Sequence, residues 1–530
     1  MRRWNGWGDP QISHPLPASA VFLLELSLGS GSLIPDVAFE TALNSVPVST
    51  LPPDDLLSTD AEVRLRHARG QSLPDWIALR TGEIDTFPDA VALPSCVEEI
   101  RDLFKIARQT DAIIIPYGGG TSVVGHINPP VSEKPVITLD TRGMNQMMDL
   151  DSHSHLATFQ AGVSGPEVEK CLAEHGYTLG HFPQSWEQST LGGWIATRSS
   201  GQQSLLYGRI ENLFAGGHIE TPVGDMDIRA LPASAAGPDL REFILGSEGR
   251  FGVITDAVVR VSPIPEREIF GAVFFKDINS GVRTVRALAG ENPLASMIRL
   301  SDAQETATTL ALSGKETWVD LADFGLSLVG HKDTKKCLMI YGLTGSQAEV
   351  RGSRLRVKEI VRAFGGLPID MMIGDLWKKS RFKTPYLRNT LWDHGYAIDT
   401  LETALPWSRL LDTRDGLISA IEDSFSAQGS MVLVLTHISH IYKDGAGIYL
   451  TYIFPRMDSA SKMVHMWHAA KTAASQRIMD MGGTISHQHG VGVDHKPFLN
   501  SEKGAVGMSV LEAVRKTLDP EGMLNPGKLL

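Results

Sequence analysis

Ala112-Ile113-Ile114-Ile115-Pro116-Tyr117-Gly118-Gly119-Gly120-Thr121-Ser122 is the stretch whose reading settles the fold. Its apolar first half reads as a buried strand. Its second half ends that strand in consecutive glycines and two hydroxyls, a loop whose backbone N–H groups can turn into one anion-binding concavity. Upstream, Val97, Ile100, Leu103, Phe104 and Ala107 recur at helical spacing, so a helix leads into the strand. Downstream, Val136 to Leu139, Leu156 to Gln160 and Val253 to Val261 read as further strands, with a helix from about Pro166 to Glu174. The layout is α+β.

Two more clusters repeat the glycine-and-hydroxyl chemistry. One runs from Pro183 to Gly201 and carries Gln184, Ser185, Ser189, Thr190, Gly193, Thr197, Arg198, Ser199 and Ser200. The other, Gly246-Ser247-Glu248-Gly249-Arg250-Phe251-Gly252-Val253-Ile254, leads straight into a strand. None is GxGxxG opening a helix and none is GxxxxGK[ST], so neither a Rossmann nor a P-loop site is supported. Three such loops in order suit an extended diphosphate cofactor.

Composition limits the remaining classes. With 51 Gly and 29 Pro, about 15% of the chain is backbone punctuation, above the ordinary ~12%. The net charge of −12 comes without a polybasic run, which gives no electrostatic case for nucleic acid or for an anionic membrane surface. Cys96, Cys171 and Cys337 are scattered and outside any CxxC spacing, which points to a reducing, cytoplasmic setting rather than a disulfide framework. The apolar stretch Ala20 to Leu28 is broken by Glu25 and falls short of a membrane span.

Beyond Ser262-Pro263-Ile264-Pro265 the pattern changes. Apolar runs Ile269 to Phe275, Leu338 to Leu343, Met431 to Leu435 and Ile448 to Phe454 alternate with helical patterns near Gln347 to Phe364 and Met463 to Met481, which predicts a sheet covered by helices on one face. A helical segment is expected around Ala61 to Arg80 and another over Leu511 to Leu518.

The three loops, in this order, resemble the FAD domain of the vanillyl-alcohol oxidase and p-cresol methylhydroxylase superfamily. That resemblance implies a two-subdomain FAD-binding domain of the p-cresol methylhydroxylase type with an α+β cap. It implies that Pro116 to Ser122 and the Ser/Thr-rich segment wrap the FAD pyrophosphate, while Glu248 to Ile254 lies against the flavin. Some members tether the flavin through a His in the first loop. Gly120-Thr121 stands there here, so FAD is expected to be non-covalent. The expected division is 1–85 as a lead-in helical segment, 86–264 as the FAD domain, 265–500 as the cap, and 501–530 as a segment returning to the FAD domain.

Further motifs, His67-Ala68-Arg69-Gly70, Tyr207-Gly208-Arg209-Ile210-Glu211-Asn212-Leu213, Ile298-Arg299-Leu300 and Ser486-His487-Gln488-His489-Gly490, are similar to the alkylglycerone-phosphate synthase family. That family exchanges the acyl group of acyl-dihydroxyacetone phosphate for a fatty alcohol in ether-lipid synthesis, redox-neutral through a flavin N5 adduct. The similarity implies Tyr449 as the active-site tyrosine and Arg388 as the group facing the substrate phosphate, with Arg299 as a second substrate arginine. It places an acid/base role on His487 or His489, and Gln488 stands where the family has its middle His. Gln184 replaces a family Asp beside the flavin.

Taken by themselves, His487 and His489 are two apart, so on an extended strand they share a face. Related flavin 2-hydroxy-acid dehydrogenases carry metal ligands near His437, His440 and Tyr449. A phenol at Tyr449 and an amide at Gln488 are poor substitutes for such ligands, so no metal is expected. The alternative activity is that of an FAD-dependent dehydrogenase or oxidase of a D-2-hydroxy acid. A lipid substrate also leads us to expect peripheral contact with the inner face of a membrane, and a homodimer fits the same resemblance.

Overall fold

The strand Ile113–Tyr117 lies at the edge of a parallel three-stranded sheet, in the order Ala90–Ala92, Val136–Asp140, Ile113–Tyr117. The computed structural model describes residues 2–291, 295–312, 335–369 and 371–530. Helix Val97–Thr110 covers the small sheet with Ile100, Leu103, Phe104 and Ala107, the residues whose spacing predicts it. From the far end of the chain, Leu524 bridges to Ile114 and packs in the same core. The second part of this half is an antiparallel sheet in the order Met147–Asp151, Leu156–Gln160, Val253–Arg260, Phe214–Thr221, Gly224–Ile228. Its core is closed by Trp194 and Ile195 of helix Leu191–Thr197, which belongs to the Ser/Thr-rich segment.

The cap is one seven-stranded antiparallel sheet, ordered Leu367–Ile369, Arg267–Phe275, Cys337–Gly345, Met297–Ser301, Leu433–Ile441, Gly445–Pro455, Tyr396–Pro406. Side chains alternate between faces along each strand. Val434, Leu450, Tyr452 and Leu401 meet helices Leu410–Ala427 and Ala460–Asp480, while Val273, Leu300 and Met339 meet helices Ile278–Gly290 and Gln347–Ala363. The opposite face therefore carries His437, Tyr449 and Glu402, which sit side by side in register.

Three expectations change. The segment Ala61 to Arg80 is two helices, Ala61–Arg66 and Leu73–Thr81, because Ser72 and Asp75 form a capping box with Pro74 in the first turn and start a new helix. The strand expected at Met431 to Leu435 begins at Leu433 and runs on through His437 to Ile441. The tail helix is longer, Lys496–Leu518, with a break at Gly504, whose φ is +70°. Among the described residues no helix is long and apolar enough to cross a membrane.

Candidate active site

The glycine loop leaves the sheet edge into a crowded corner. A Cβ on Gly119 would lie 2.6 Å from the carbonyl carbon of Gln188 and 2.8 Å from Cα of Ser189, so only glycine lets the two cofactor segments touch. Arg2 grips the loop from outside, donating to the carbonyl oxygens of Gly119 and, at 3.1 Å, Gly120. Among the described residues the N–H groups of Gly119 to Ser122 have no acceptor within the protein. Unpaired backbone donors in a concavity call for an anionic or polar ligand. Ser122 Oγ lies 2.7 Å from His126 Nδ1, and His126 Nε2 lies 3.1 Å from Glu248 Oε1. Glu248 has φ +54° and accepts from the N–H groups of Val491 and Gly492, which ties the glycine loop to the His-containing segment.

A cavity of about 820 Å³ opens between these loops and the cap sheet. Of the expected cofactor residues, Pro116, Tyr117, Gly118, Gly119, Gly120, Thr121, Ser122, Gln184, Ser185, Ser189, Thr190, Gly193, Thr197, Ser199, Ser200, Glu248, Gly249, Gly252, Val253 and Ile254 line it. Arg198, Arg250 and Phe251 do not. Arg198 caps its helix with φ +56° and turns out to Glu211 and Glu242, Arg250 donates to the Leu524 carbonyl, and Phe251 is spent in the core.

The cap wall contributes Arg299, His437, Tyr449 and His489, with Arg388 from helix Thr384–Asp393. His437 stacks on Tyr449 at 4.9 Å between ring centroids, and its Nδ1 lies 3.1 Å from Glu305. Glu305 also takes a 2.5 Å hydrogen bond from Arg299. Burial alone would push the Glu305 carboxyl up, but His437 and Arg299 outweigh it and hold it well below the usual range. Arg388 lies over the Trp76 ring, 4.5 Å from its centroid, and donates to the Gln71 carbonyl through Nη1, while its Nη2 is buried without a partner. A guanidinium fixed on one side and unsatisfied on the other has the chemistry to receive an anion.

His487 and His489 do not share a face, because Ser486 to Gly490 forms a bent loop rather than a strand. His489 lines the cavity edge-on to Tyr449, with 5.6 Å between ring centroids. His487 points behind the wall to Arg209 and Tyr442. Among the described residues no group of three His, Cys, Asp or Glu side chains could hold a metal ion.

With that geometry in hand, residues 88–226 match the family described as FAD binding domain, and residues 264–529 match FAD linked oxidases, C-terminal domain. The alkyldihydroxyacetonephosphate synthase of Dictyostelium discoideum is 32% identical, over 100% of this chain and 93% of its own length. The chain belongs to the alkyldihydroxyacetonephosphate synthase family. A solved structure of an alkyldihydroxyacetonephosphate synthase superposes with a TM-score of 0.84 at 28% identity, covering 99% of this chain and 98% of that one. p-Cresol methylhydroxylase shares the fold, with a TM-score of 0.68 at 14% identity over 93% and 96% of the two chains. FAD is thus the cofactor, and the loops that line the cavity fit it: free N–H donors for the pyrophosphate, hydroxyls around them, and room between the two halves.

Within this family site, two features escape a reading of the sequence. Glu402 and Glu305 stand among apolar and hydroxyl residues with no motif to mark them. The lead-in segment also enters the cavity wall through His14, Leu16, Leu23 and Leu24, facing Leu435 and Ile453 of the cap. Helix Ala18–Leu28 is apolar on nearly every side, with Glu25 its one charge, which is the pattern of a helix with two apolar faces to cover.

Proposed function

We propose that this chain exchanges the acyl group of acyl-dihydroxyacetone phosphate for a fatty alcohol, with FAD held non-covalently along the glycine loop. The reading rests on one observation: an unsatisfied arginine, a phenol, an imidazole and an apolar wall meet in one cavity beside the cofactor loops. His126, the imidazole nearest in sequence to that loop, is held through Nδ1 by Ser122, which favours an untethered flavin.

Arg388 anchors the phosphate through its open Nη2 side, and Arg299, held by Glu305, borders the same space. Burial pushes the Tyr449 phenol above its usual range, so it keeps its proton and donates to the departing acyl oxygen. Burial holds the His489 imidazole below its usual value, so it is neutral and can accept. Environment alone thus separates an acid from a base. The bond from C1 to the acyl oxygen breaks and its electron pair leaves with the carboxylate. The alcohol oxygen supplies the pair for the new bond, and its proton passes to His489. Bound FAD supplies a reversible electron store at C1, which keeps the exchange redox-neutral. Leu16, Leu23, Leu24, Leu435 and Ile453 form the apolar wall for the lipid chain.

The lipid reaches this wall from a bilayer. Phe22 and Leu26, on the outer side of helix Ala18–Leu28, are 66% and 72% exposed. Lys379 and Lys383 are exposed near the cavity rim, while Lys378 beside them pairs with Glu268. Exposed apolar side chains on a helix that walls the cavity suit peripheral contact with a membrane surface.

The test is purified, FAD-loaded protein incubated with acyl-dihydroxyacetone phosphate and a labelled fatty alcohol under anaerobic conditions. Labelled alkyl product and free fatty acid with the flavin still oxidised are expected. No exchange, together with lasting flavin bleaching by a D-2-hydroxy acid, would overturn the proposal.

A further inference from the structure

We infer that Glu402 is a positioning residue that holds the His487–His489 turn against the cavity and selects His489 over His487 as the proton acceptor. This rests on the exchange reading above for its catalytic meaning, although its physical content stands on the free enzyme.

Glu402 lies on strand Tyr396–Pro406 directly opposite Tyr449 and is 3% exposed. Its Oε1 accepts from the backbone N–H groups of His487, Gln488 and His489 at 3.1, 2.6 and 2.8 Å, and from Ser486 Oγ at 3.3 Å. These N–H groups belong to a loop between two helices, where no ladder can satisfy them. A buried carboxylate inside such a ring stays ionised. It also lies 3.7 Å from Nδ1 of both His487 and His489, so both rings turn the same nitrogen to the same charge.

The second nitrogens differ. Nε2 of His487 is 2.5 Å from the Arg209 guanidinium and 2.6 Å from the Tyr442 hydroxyl. Arginine has no acceptor, so it must donate, and the lone pair of His487 Nε2 is occupied by a cation. Among the described residues His489 has no guanidinium on its ring. The charged and titratable groups that face it are Glu402 and Asp399 from one strand, Tyr449 from the next, Lys471 from helix Ala460–Asp480, His495 just before helix Lys496–Leu518, and His126 from the FAD half. Glu402 thus orients His489 and raises its proton affinity against Lys471 and His126, neither of which bonds its ring among the described residues, whereas at His487 the Arg209 guanidinium sits on Nε2 and opposes both Glu402 and Glu211.

FAD-loaded protein labelled at histidine Cε1 is titrated by NMR without substrate, with His487 and His489 assigned by single substitution. In the natural chain His489 is expected to titrate at higher pH than His487, and the reverse order overturns the inference. Glu402→Gln keeps an oxygen for the N–H groups but loses the charge. It should lower the His489 midpoint by about 1 to 3 pH units, the range for one opposite charge at this distance. The acid limb of kcat/KM for exchange should move by the same amount. An unmoved midpoint in a folded Glu402→Gln protein also overturns it. If the natural chain shows no exchange, the functional proposal fails while the titration still decides on Glu402.

Discussion

Replacing Gly119 by Ala puts one methyl group between the two segments that form the FAD cradle. The added Cβ would sit 2.6 Å from the Gln188 carbonyl carbon and 2.8 Å from Ser189 Cα, and nearer still to the Gln188 oxygen. Carbon atoms in contact prefer ~3.5–4.0 Å, so backbone must shift by about 1 Å. Both obstructing atoms are main chain, and no rotamer change relieves them. Overpacking of this kind costs about 1–3 kcal/mol. If most of it falls on the cofactor-bound state, where loop and segment must close on one ligand, the FAD Kd rises about 10- to 100-fold. Gly352→Ala is the control. That glycine lies in helix Gln347–Ala363 with nothing within 4 Å of an added Cβ, so the exchange should stabilise by about 0.5–1 kcal/mol and leave FAD affinity unchanged. The assay is FAD affinity by fluorescence quenching on refolded apoprotein, with flavin absorbance per chain after gel filtration. A Gly119→Ala protein that binds FAD as tightly as the natural chain would refute the argument that close approach, rather than loop flexibility, explains this glycine.

Arg388→Lys keeps the charge but loses the planar contact with Trp76 and the fork left open at Nη2. With charged hydrogen bonds worth about 1.5–3 kcal/mol, KM for the phosphate substrate should rise roughly 10- to 100-fold at unchanged FAD content, and steady-state kinetics showing no change in KM would remove the phosphate assignment. The Asp494 carboxyl is pushed up to about 7 by burial and by Asp399 and Asp75, against the pull of Lys471. Its folded value exceeds its unfolded one, so its favourable contribution is complete at low pH and is lost as pH rises through about 7. Asp494→Asn should therefore gain in Tm relative to the natural chain on going from pH 5 to pH 8.5, and a gap of equal size at both pH values contradicts this. Phe22→Ser with Leu26→Ser should abolish co-sedimentation with phosphatidylcholine vesicles at retained Tm. At ~1.5–3 kcal/mol per fully buried side chain, half-insertion of the pair is worth roughly 10- to 150-fold, and unchanged sedimentation would exclude this helix as the contact.

What the sequence makes legible is what short-range chemistry controls. Ile113 to Ser122 announces a strand that ends in an anion loop, because apolar branching and consecutive glycines act within a few residues. The same holds for helix Val97–Thr110, whose buried stripe is its own period. The active-site wall is another matter, because it is assembled laterally. Glu402, His437 and Tyr449 are neighbours only through the register of three antiparallel strands, and nothing within any one of them marks that register. A shift by one residue in the pairing would send Glu402 to the helix side, where Leu401 and Thr403 now lie beside it in the chain. The His-x-His spacing misleads for a related reason. Period-two logic holds on a strand, but Ser486 to His489 has surrendered its ladder hydrogen bonds to a carboxylate from another strand, and so its two imidazoles part. The buried acid that no motif marks is therefore the residue that decides how the motif beside it is read, and in a sheet-walled site the strand neighbours of a recognised tyrosine deserve to be tested before further residues of the motif itself.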